Sequence, residues 1–131
     1  MSALGPVAVI AASGMAAAQT RMDVAAQNLA NMNTQGAVSG SPAPYRSQRA
    51  DLISTIGGGV AASVRADSST PELAYDPSAS FADPQGMVAA PAVDPALQLI
   101  DMHVAMRQFQ ASVRVFETAN RATKSLLDIR S

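Results

Sequence analysis

The chain has 131 residues, a formal net charge of −1 from nine basic and ten acidic residues, and no cysteine. This length fits a single domain of ordinary size, and the lack of cysteine excludes disulfides and thiolate metal sites. The basic residues are spread from Arg21 to Arg130 rather than clustered, so no basic surface for a nucleic-acid partner is expected.

The apolar residues are mostly small. Only two tyrosines and three phenylalanines are present, and alanine and methionine supply much of the 48% hydrophobic content. Because an alanine buries much less area than a leucine or a phenylalanine, a core made from these residues gains little from the hydrophobic effect. We therefore expect the isolated chain to be weakly stabilised.

Residues 3–18 carry no charge and are mostly apolar. They could be a secretory signal ending in the A-x-A sequence Ala16–Ala18, which would make the protein a Sec-exported periplasmic helical binding module. A signal of this kind needs a positive segment first, and Met1–Pro6 contains no Lys or Arg. The stretch is also interrupted by Ser13 and Gly14 and is shorter than the roughly 20 residues of a membrane span. We expect no membrane insertion, and keep the Sec-exported module as the alternative.

Residues 1–33 are predicted to form one long helix. Apolar residues recur at alternating steps of four and three, which is the heptad pattern of a coiled-coil seam. Asn33, Thr34 and Gly36 are plausible terminators of this helix. The predicted seam consists of Leu4, Ala8, Ala11, Met15, Ala18, Met22, Ala25, Leu29 and Met32.

Residues 34–92 are rich in Gly, Pro, Ser and Ala, and their prolines block any long helix. Tyr45–Thr55 fits one strand, and residues 60–66 alternate as a half-buried second strand should. Gly57–Gly59 would form the turn between them. Because a lone hairpin is marginally stable, we expect this insert to lean on the helices or on neighbouring subunits.

Residues 93–131 repeat the helical pattern with bulkier side chains. Both seams would be about 42 Å long, so the two helices are predicted to pair as an antiparallel coiled coil with small residues facing Phe109 and Phe116. The predicted fold is thus mainly α, with two long terminal helices and a Gly/Pro-rich insert that contains a short β-hairpin. The second seam consists of Leu99, Met102, Met106, Phe109, Val113, Phe116, Asn120, Thr123 and Leu127.

The two helices differ in charge. Arg21 and Asp23 are the only charged residues of the first 33, so a single partner helix would leave most of the first helix's apolar circumference uncovered. We expect other protein chains to cover it. The second helix carries a charged face typical of exposure to solvent, and Glu117 and Arg121 are spaced for an ion pair.

No pattern indicates catalysis or a cofactor. His103 is the only histidine, which excludes a multi-histidine metal site within one chain. Gly57–Gly59 is not followed by the Lys and Ser/Thr of a phosphate-binding loop. Asp76, Asp83 and Asp94 lie next to prolines, as turn residues often do. We expect a protein that is not an enzyme and that binds no metal or cofactor.

Several segments resemble flagellar proteins. Ala25–Asn31, with Arg21–Met22 before it and Pro44–Arg46 after it, closely resembles the N-terminal signature of flagellar rod and hook proteins. A second set of segments resembles the proximal rod subunits of the FlgC type, and the chain length and the short insert also fit. This second set is Ala82–Val88, Pro91–Asp94, Met106–Ser112 and Ser125–Ile129.

The resemblance implies a structural subunit of the axial rod of the flagellar basal body, which crosses the periplasm and transmits torque. It implies assembly with other copies and with neighbouring rod proteins, and export by the flagellar type III apparatus without a cleaved signal. Asn28 and Asn31 would cap or cross-link between helices, through the ends of the first helix or to an adjacent subunit, or would simply end the first helix. The expected assembly-interface residues are Arg21, Met22, Asn28, Leu29, Asn31, Met102, Met106, Arg107, Phe109, Gln110, Val113 and Phe116.

Overall fold

The structure is a computed structural model that describes residues 4–129. It confirms a mainly helical protein with two long terminal helices and a small β region between them. The ranges 1–33 and 93–131 predicted as helical include residues 1–3 and 130–131, which lie outside the described part. The elements are α1 (Leu4–Ala30), β1 (Gln48–Ser54), β2 (Val60–Ala66), β3 (Glu72–Tyr75), β4 (Met87–Ala90) and α2 (Pro95–Ile129).

The end of α1 and the start of α2, which adjoin the insert, are both determined by residues close by in the chain. The chain turns at Asn31–Asn33 directly after α1, close to the predicted terminators. Asp94 caps α2, because its Oδ1 accepts the backbone N–H of Ala96 at 2.9 Å, and Pro95 follows at the first helical position. Proline suits this position, since its missing N–H would have no partner there.

Residues further along α1 contact residues nearer the start of α2. Gly14 lies against Ser112, and Arg21 donates a hydrogen bond to Gln108. Asn28, further along α1, bonds to Gln98 near the start of α2. The close approach at Gly14 favours glycine, because a Cβ there would lie 2.7 Å from the Ser112 hydroxyl oxygen, which would have to move.

The inward-facing residues differ from both predicted seams at alternate positions. On α1, Ala11, Ala18 and Ala25 are buried as predicted, but Gly14 and Asn28 are buried in place of Met15 and Leu29, which are only half-buried. The same shift of one residue occurs on α2. Most of these positions hold small residues, which let the two backbones approach closely, whereas Asn28 and Gln98 bond to each other. On α2, Gln98, Ala105, Ser112 and Ala119 face inward, and the predicted Leu99, Met106, Asn120 and Leu127 are exposed.

The core of the described part is built from small side chains. Val88 is the largest apolar side chain that is fully buried, and no aromatic residue is buried. This composition agrees with the expected weak hydrophobic stabilisation. The buried hydrophobic residues are Ala11, Ala17, Ala18, Val24, Ala25, Ala37, Val88, Ala89, Ala105 and Ala119.

The predicted hairpin is confirmed, and it lies along α1. β1 and β2 pair antiparallel from Gln48↔Ala66 to Ser54↔Val60. The Gln48 end bonds to Asn28, and the turn end is fixed by Ser13, whose Oγ accepts the Val60 N–H at 3.1 Å. The alternating burial predicted for β2 is wrong: residues 60–62, next to the turn end held by Ser13, are half-buried, and residues 63–66 are exposed.

A second antiparallel pair, β3–β4, was not predicted. It is tied to the segment after α1 by Gly36, whose N–H and carbonyl both bond to Ala89 at 2.9 Å. The predicted turns at Asp76 and Asp83 are present between these strands, since their carboxylates accept backbone N–H groups of Ser78 and Gln85. Within residues 4–129, neither helix is long and apolar enough to cross a membrane.

Candidate assembly interface

Asn28 joins three parts of the structure through its side-chain amide. Its Nδ2 donates to the Gln48 carbonyl at 2.7 Å and to Gln98 Oε1 at 2.9 Å. Its Oδ1 accepts the Gln48 N–H at 2.9 Å and the Tyr45 hydroxyl at 3.0 Å. The residue is 1% exposed, and all four bonding positions of the amide are used. Asn28 therefore links α1 to α2 and to the start of β1 within one chain.

Asn31 has a different, local role. Its Nδ2 donates to the Gln27 carbonyl at 2.9 Å, and its Oδ1 lies 3.3 Å from the Thr34 hydroxyl. Both partners lie within four residues along the chain. Within the chain, Asn28 thus cross-links three elements, a role that the sequence did not indicate, and Asn31 bonds at the end of α1.

Tyr45 completes the group around Asn28. Partial burial raises the pKa of the Tyr45 phenol above its ordinary value of 10.0, because the ionised form would lose its water. The phenol is therefore neutral at physiological pH and can donate its proton to Asn28. Sequence reasoning noted Tyr45 as part of a family-like segment but assigned it no contact.

Arg21 provides a second link between the helices, two turns of α1 before Asn28. Its guanidinium donates to Gln108 Oε1 at 2.8 Å, and the residue is half-buried. Arg21, Asn28 and Asp101 line a polar cleft of about 300 Å³ between the helices and β1. The described residues hold no cluster of three or more metal-binding side chains.

Apart from Asn28, which is buried, the predicted interface residues fall into two groups by exposure. The exposed group is Met106, Arg107 and Gln110, which leave their surfaces to solvent. The others contact the rest of the chain and keep only part of their surface free. This half-buried group is Arg21, Met22, Leu29, Asn31, Met102, Phe109, Val113 and Phe116.

A further set of large exposed apolar side chains of α2 lies on a face that sequence reasoning missed. Leu97 and Ile100 are each 57% exposed, and Leu126 is 53% exposed. A second series of three- and four-residue steps could have revealed them. They were overlooked because the predicted seam already accounted for a heptad pattern on the same helix.

The predicted ion pair between Glu117 and Arg121 is not formed. Arg121 instead contacts the Thr118 hydroxyl at 3.4 Å. On the hairpin, Asp51 forms ion pairs with Arg49 at 3.3 Å and with Arg65 at 2.5 Å.

Comparison with known proteins identifies the family. Residues 85–129 match the family described as "Flagellar basal body rod FlgEFG protein C-terminal", and residues 10–37 match "Flagella basal body rod protein". The flagellar basal-body rod protein FlgC of Bacillus subtilis is 35% identical, over 90% of this chain and 89% of the relative. FlgC of Salmonella typhimurium is 34% identical over 83% and 84%, and FlgC of Borreliella burgdorferi is 32% identical over 92% and 93%. The chain therefore belongs to the FlgC family of flagellar basal-body rod proteins, which are structural proteins and not enzymes.

Proposed function

We propose that this protein is a subunit of the rod of the flagellar basal body, and that it assembles through α1 and α2 to transmit torque across the periplasm. One observation carries the proposal. The two helices meet through small residues and turn large apolar side chains outward, with Val9 70% exposed and Ile129 80% exposed. Large apolar groups left outside a helix pair indicate a surface that another protein covers.

The packing supports a subunit that is completed by its neighbours. Fully burying a valine, leucine or isoleucine contributes about 1.5–3 kcal/mol, and an alanine contributes much less. Here the alanines are buried within the chain and many large aliphatic residues are not. Assembly would therefore supply the hydrophobic stabilisation that the monomer lacks.

We further propose that α1 and α2 form an antiparallel coiled coil in the assembled rod. The inward residues of both helices follow a heptad spacing: Ala11, Gly14 and Ala18 on α1 are separated by three and four residues, and Ala105, Ser112 and Ala119 on α2 by seven. The cross-links Asn28–Gln98 and Arg21–Gln108 would keep the two helices in register under torsion. Such a pair suits a component that must transmit torque without slipping.

The exposed group Met106, Arg107 and Gln110 and the free surfaces of the half-buried group would contact other copies and neighbouring rod proteins. Phe109 and Val113 line a shallow depression with Gln110, which fits a side chain from an adjacent subunit. The helices would form the assembled core, with residues 34–92 as a separate insert on them.

We also propose export through the flagellar type III apparatus without a cleaved signal. Removal of residues up to Ala18 would delete Ala11, Gly14 and Ala17, all of which are buried in the fold. The first half of α1 therefore belongs to the folded structure. This packing favours the rod subunit over the Sec-exported binding module.

The proposal is tested by complementing a strain that lacks the gene and measuring swimming and the protein content of isolated basal bodies. Leu29→Asp places a charge on a half-buried apolar position and is expected to abolish incorporation. Met106→Asp is the sharper variant, because Met106 is 39% exposed and its replacement should leave the helix content of the monomer unchanged while incorporation falls.

Ser80→Asp is the matched control, since it adds the same charge at an exposed turn position of the insert. It is expected to swim normally. Normal swimming and normal incorporation with both Leu29→Asp and Met106→Asp would overturn the proposal.

A further inference from the structure

A second apolar row runs along the whole of α2, beside the face that packs on α1. Its members are separated by steps of three, four or seven residues, so they share one side of the helix. Its large members are between 48% and 80% exposed. We name this surface the α2 outer row; it consists of Leu97, Ile100, Val104, Ala111, Val115, Ala122, Leu126 and Ile129.

The α2 outer row contains no charge, but a line of arginines borders it. Arg107, Arg114 and Arg121 follow at intervals of seven residues, on the side of the row away from α1. The guanidinium groups of Arg107 and Arg114 make no ion pair or hydrogen bond with the described residues, and that of Arg121 contacts only the Thr118 hydroxyl. The row is thus an apolar surface with an unneutralised positive border.

The side of α1 that faces away from α2 and the hairpin carries mostly small side chains and a negative charge, whereas the α2 outer row carries large side chains and has a positive border. Its positions also alternate in steps of three and four, and all are exposed. Its one charged residue is Asp23, which makes no ion pair among the described residues. We name this surface the α1 outer face; it consists of Val9, Ala12, Ala16, Gln19, Asp23, Ala26 and Ala30.

We propose that the α2 outer row of one copy packs against the α1 outer face of a second copy, an inference that rests on the proposed function. The two surfaces share the same period, and large side chains on one would meet small ones on the other. The same close approach over small residues occurs within the chain, at Gly14 and Ser112. Asp23 would then face the arginine border, which gives the contact its charge complementarity.

Contacts between like surfaces fit less well. Two α2 outer rows would bring their arginine borders together, and like charges at an interface disfavour association. Two α1 outer faces would bury mostly alanine and would oppose one Asp23 to another. A contact between two different surfaces also leaves a free α1 outer face and a free α2 outer row at the ends, so it can continue into an open-ended assembly.

Disulfide cross-linking tests the contact, because the natural chain has no cysteine. A tagged Ala16→Cys chain and an untagged chain with Val104→Cys, Ala111→Cys or Val115→Cys are expressed together in cells that lack the gene. Basal bodies are then isolated and oxidised. A mixed dimer is expected with at least one of the three partners, and not from either variant alone.

His103→Cys is the matched control. His103 is exposed on α2 and directly precedes Val104, but one residue rotates a side chain by about 100° around the helix, so it lies outside the α2 outer row. The inference would be overturned if mixed dimers formed as readily with His103→Cys as with the outer-row variants. It would also be overturned if no outer-row variant gave a mixed dimer. The proposed function fails separately, if the chains are missing from isolated basal bodies.

Charge exchange gives a second measurement. Asp23→Arg is expected to lower incorporation about tenfold, because it adds a positive charge opposite the arginine border. Combining it with Arg107→Asp, Arg114→Asp or Arg121→Asp should restore incorporation for the arginine that faces residue 23. Restoration by none of the three would contradict the pairing of these surfaces.

Discussion

The buried amide nitrogen of Asn28 lies 2.9 Å from the side-chain oxygen of Gln98, so one hydrogen bond joins the C-terminal part of α1 to the first turn of α2. These residues are 70 positions apart in the chain. The same amide holds both the N–H and the carbonyl of Gln48, so the start of the hairpin is fixed at this point too. One side chain therefore joins both helices to the start of the hairpin.

Replacing Asn28 is expected to destabilise the protein more than replacing any other polar residue of α1. Asn28→Ala would leave partly buried groups of Gln48, Gln98 and Tyr45 without their Asn28 partner, and an unsatisfied buried group costs about 1–3 kcal/mol. We expect a loss of about 3 kcal/mol in the free energy of unfolding, measured by urea titration with circular dichroism. Asn31→Ala is the control, and equal losses for the two variants would contradict the assigned role of Asn28.

Gly36 is expected to tolerate no side chain. A Cβ at this position would collide with the backbone of Pro42, Ala43 and Pro44, which cannot move aside as a side-chain end can. Gly36→Ala should therefore separate the segment after α1 from β4 and lower the unfolding free energy by about 3 kcal/mol or more.

Gly5→Ala is the matched control, because nothing lies within 4 Å of a Cβ placed there. It should be neutral or slightly stabilising, since alanine favours helix over glycine by about 1 kcal/mol. Thermal unfolding of the two variants side by side checks the contrast, and similar melting temperatures would be incompatible with this account of Gly36.

The contact between Gly14 and Ser112 is expected to show strong coupling. The Cβ of Gly14→Ala would lie 2.7 Å from the Ser112 hydroxyl oxygen but 3.5 Å from its Cβ, which is an ordinary contact. In a Ser112→Ala background, Gly14→Ala should therefore stabilise the protein by about 1 kcal/mol through helix propensity. In the natural background that gain should be reduced or reversed, and a double-mutant cycle with additive effects would rule out the close approach.

Stability is expected to fall in alkaline solution through Tyr45. Its pKa is raised in the folded state because burial disfavours the phenolate, so folding favours the neutral phenol. The stabilising contribution is complete below the unfolded-state value of about 10 and is lost as the pH rises through the raised folded-state pKa. Urea titrations between neutral and strongly alkaline pH should show this decline in the natural protein and a smaller one in Tyr45→Phe; identical pH profiles would contradict it.

The sequence predicted the helices and the hairpin well because their signals are local. Heptad spacing indicated α1 and α2, and Gly57–Gly59 between two strand-like runs indicated the turn of β1–β2. β3 and β4 gave no comparable signal. They are four residues each, and β4 is held partly by Gly36, a long way back in the chain.

The candidate interface was predicted only in part. Met106, Arg107 and Gln110 are exposed and available to neighbours, whereas Asn28 is used entirely within its own chain. Its partners come from three separate segments, so no local pattern could identify them. The α2 outer row was visible in the sequence, but α2 carries apolar residues around much of its circumference, and periodicity alone could not rank one face over another.

By itself, the sequence determined that the protein has two long amphipathic helices, a proline-broken insert with a hairpin, and a family signature, because each depends on residues close together in the chain. The tertiary structure decided which face of each helix turns inward. A heptad repeat rich in alanine permits two phases one residue apart, and local spacing does not distinguish them. The phase is fixed where Gly14 allows the backbones to approach and where Asn28 finds hydrogen-bond partners on Gln48 and Gln98, and both conditions depend on contacts between distant segments.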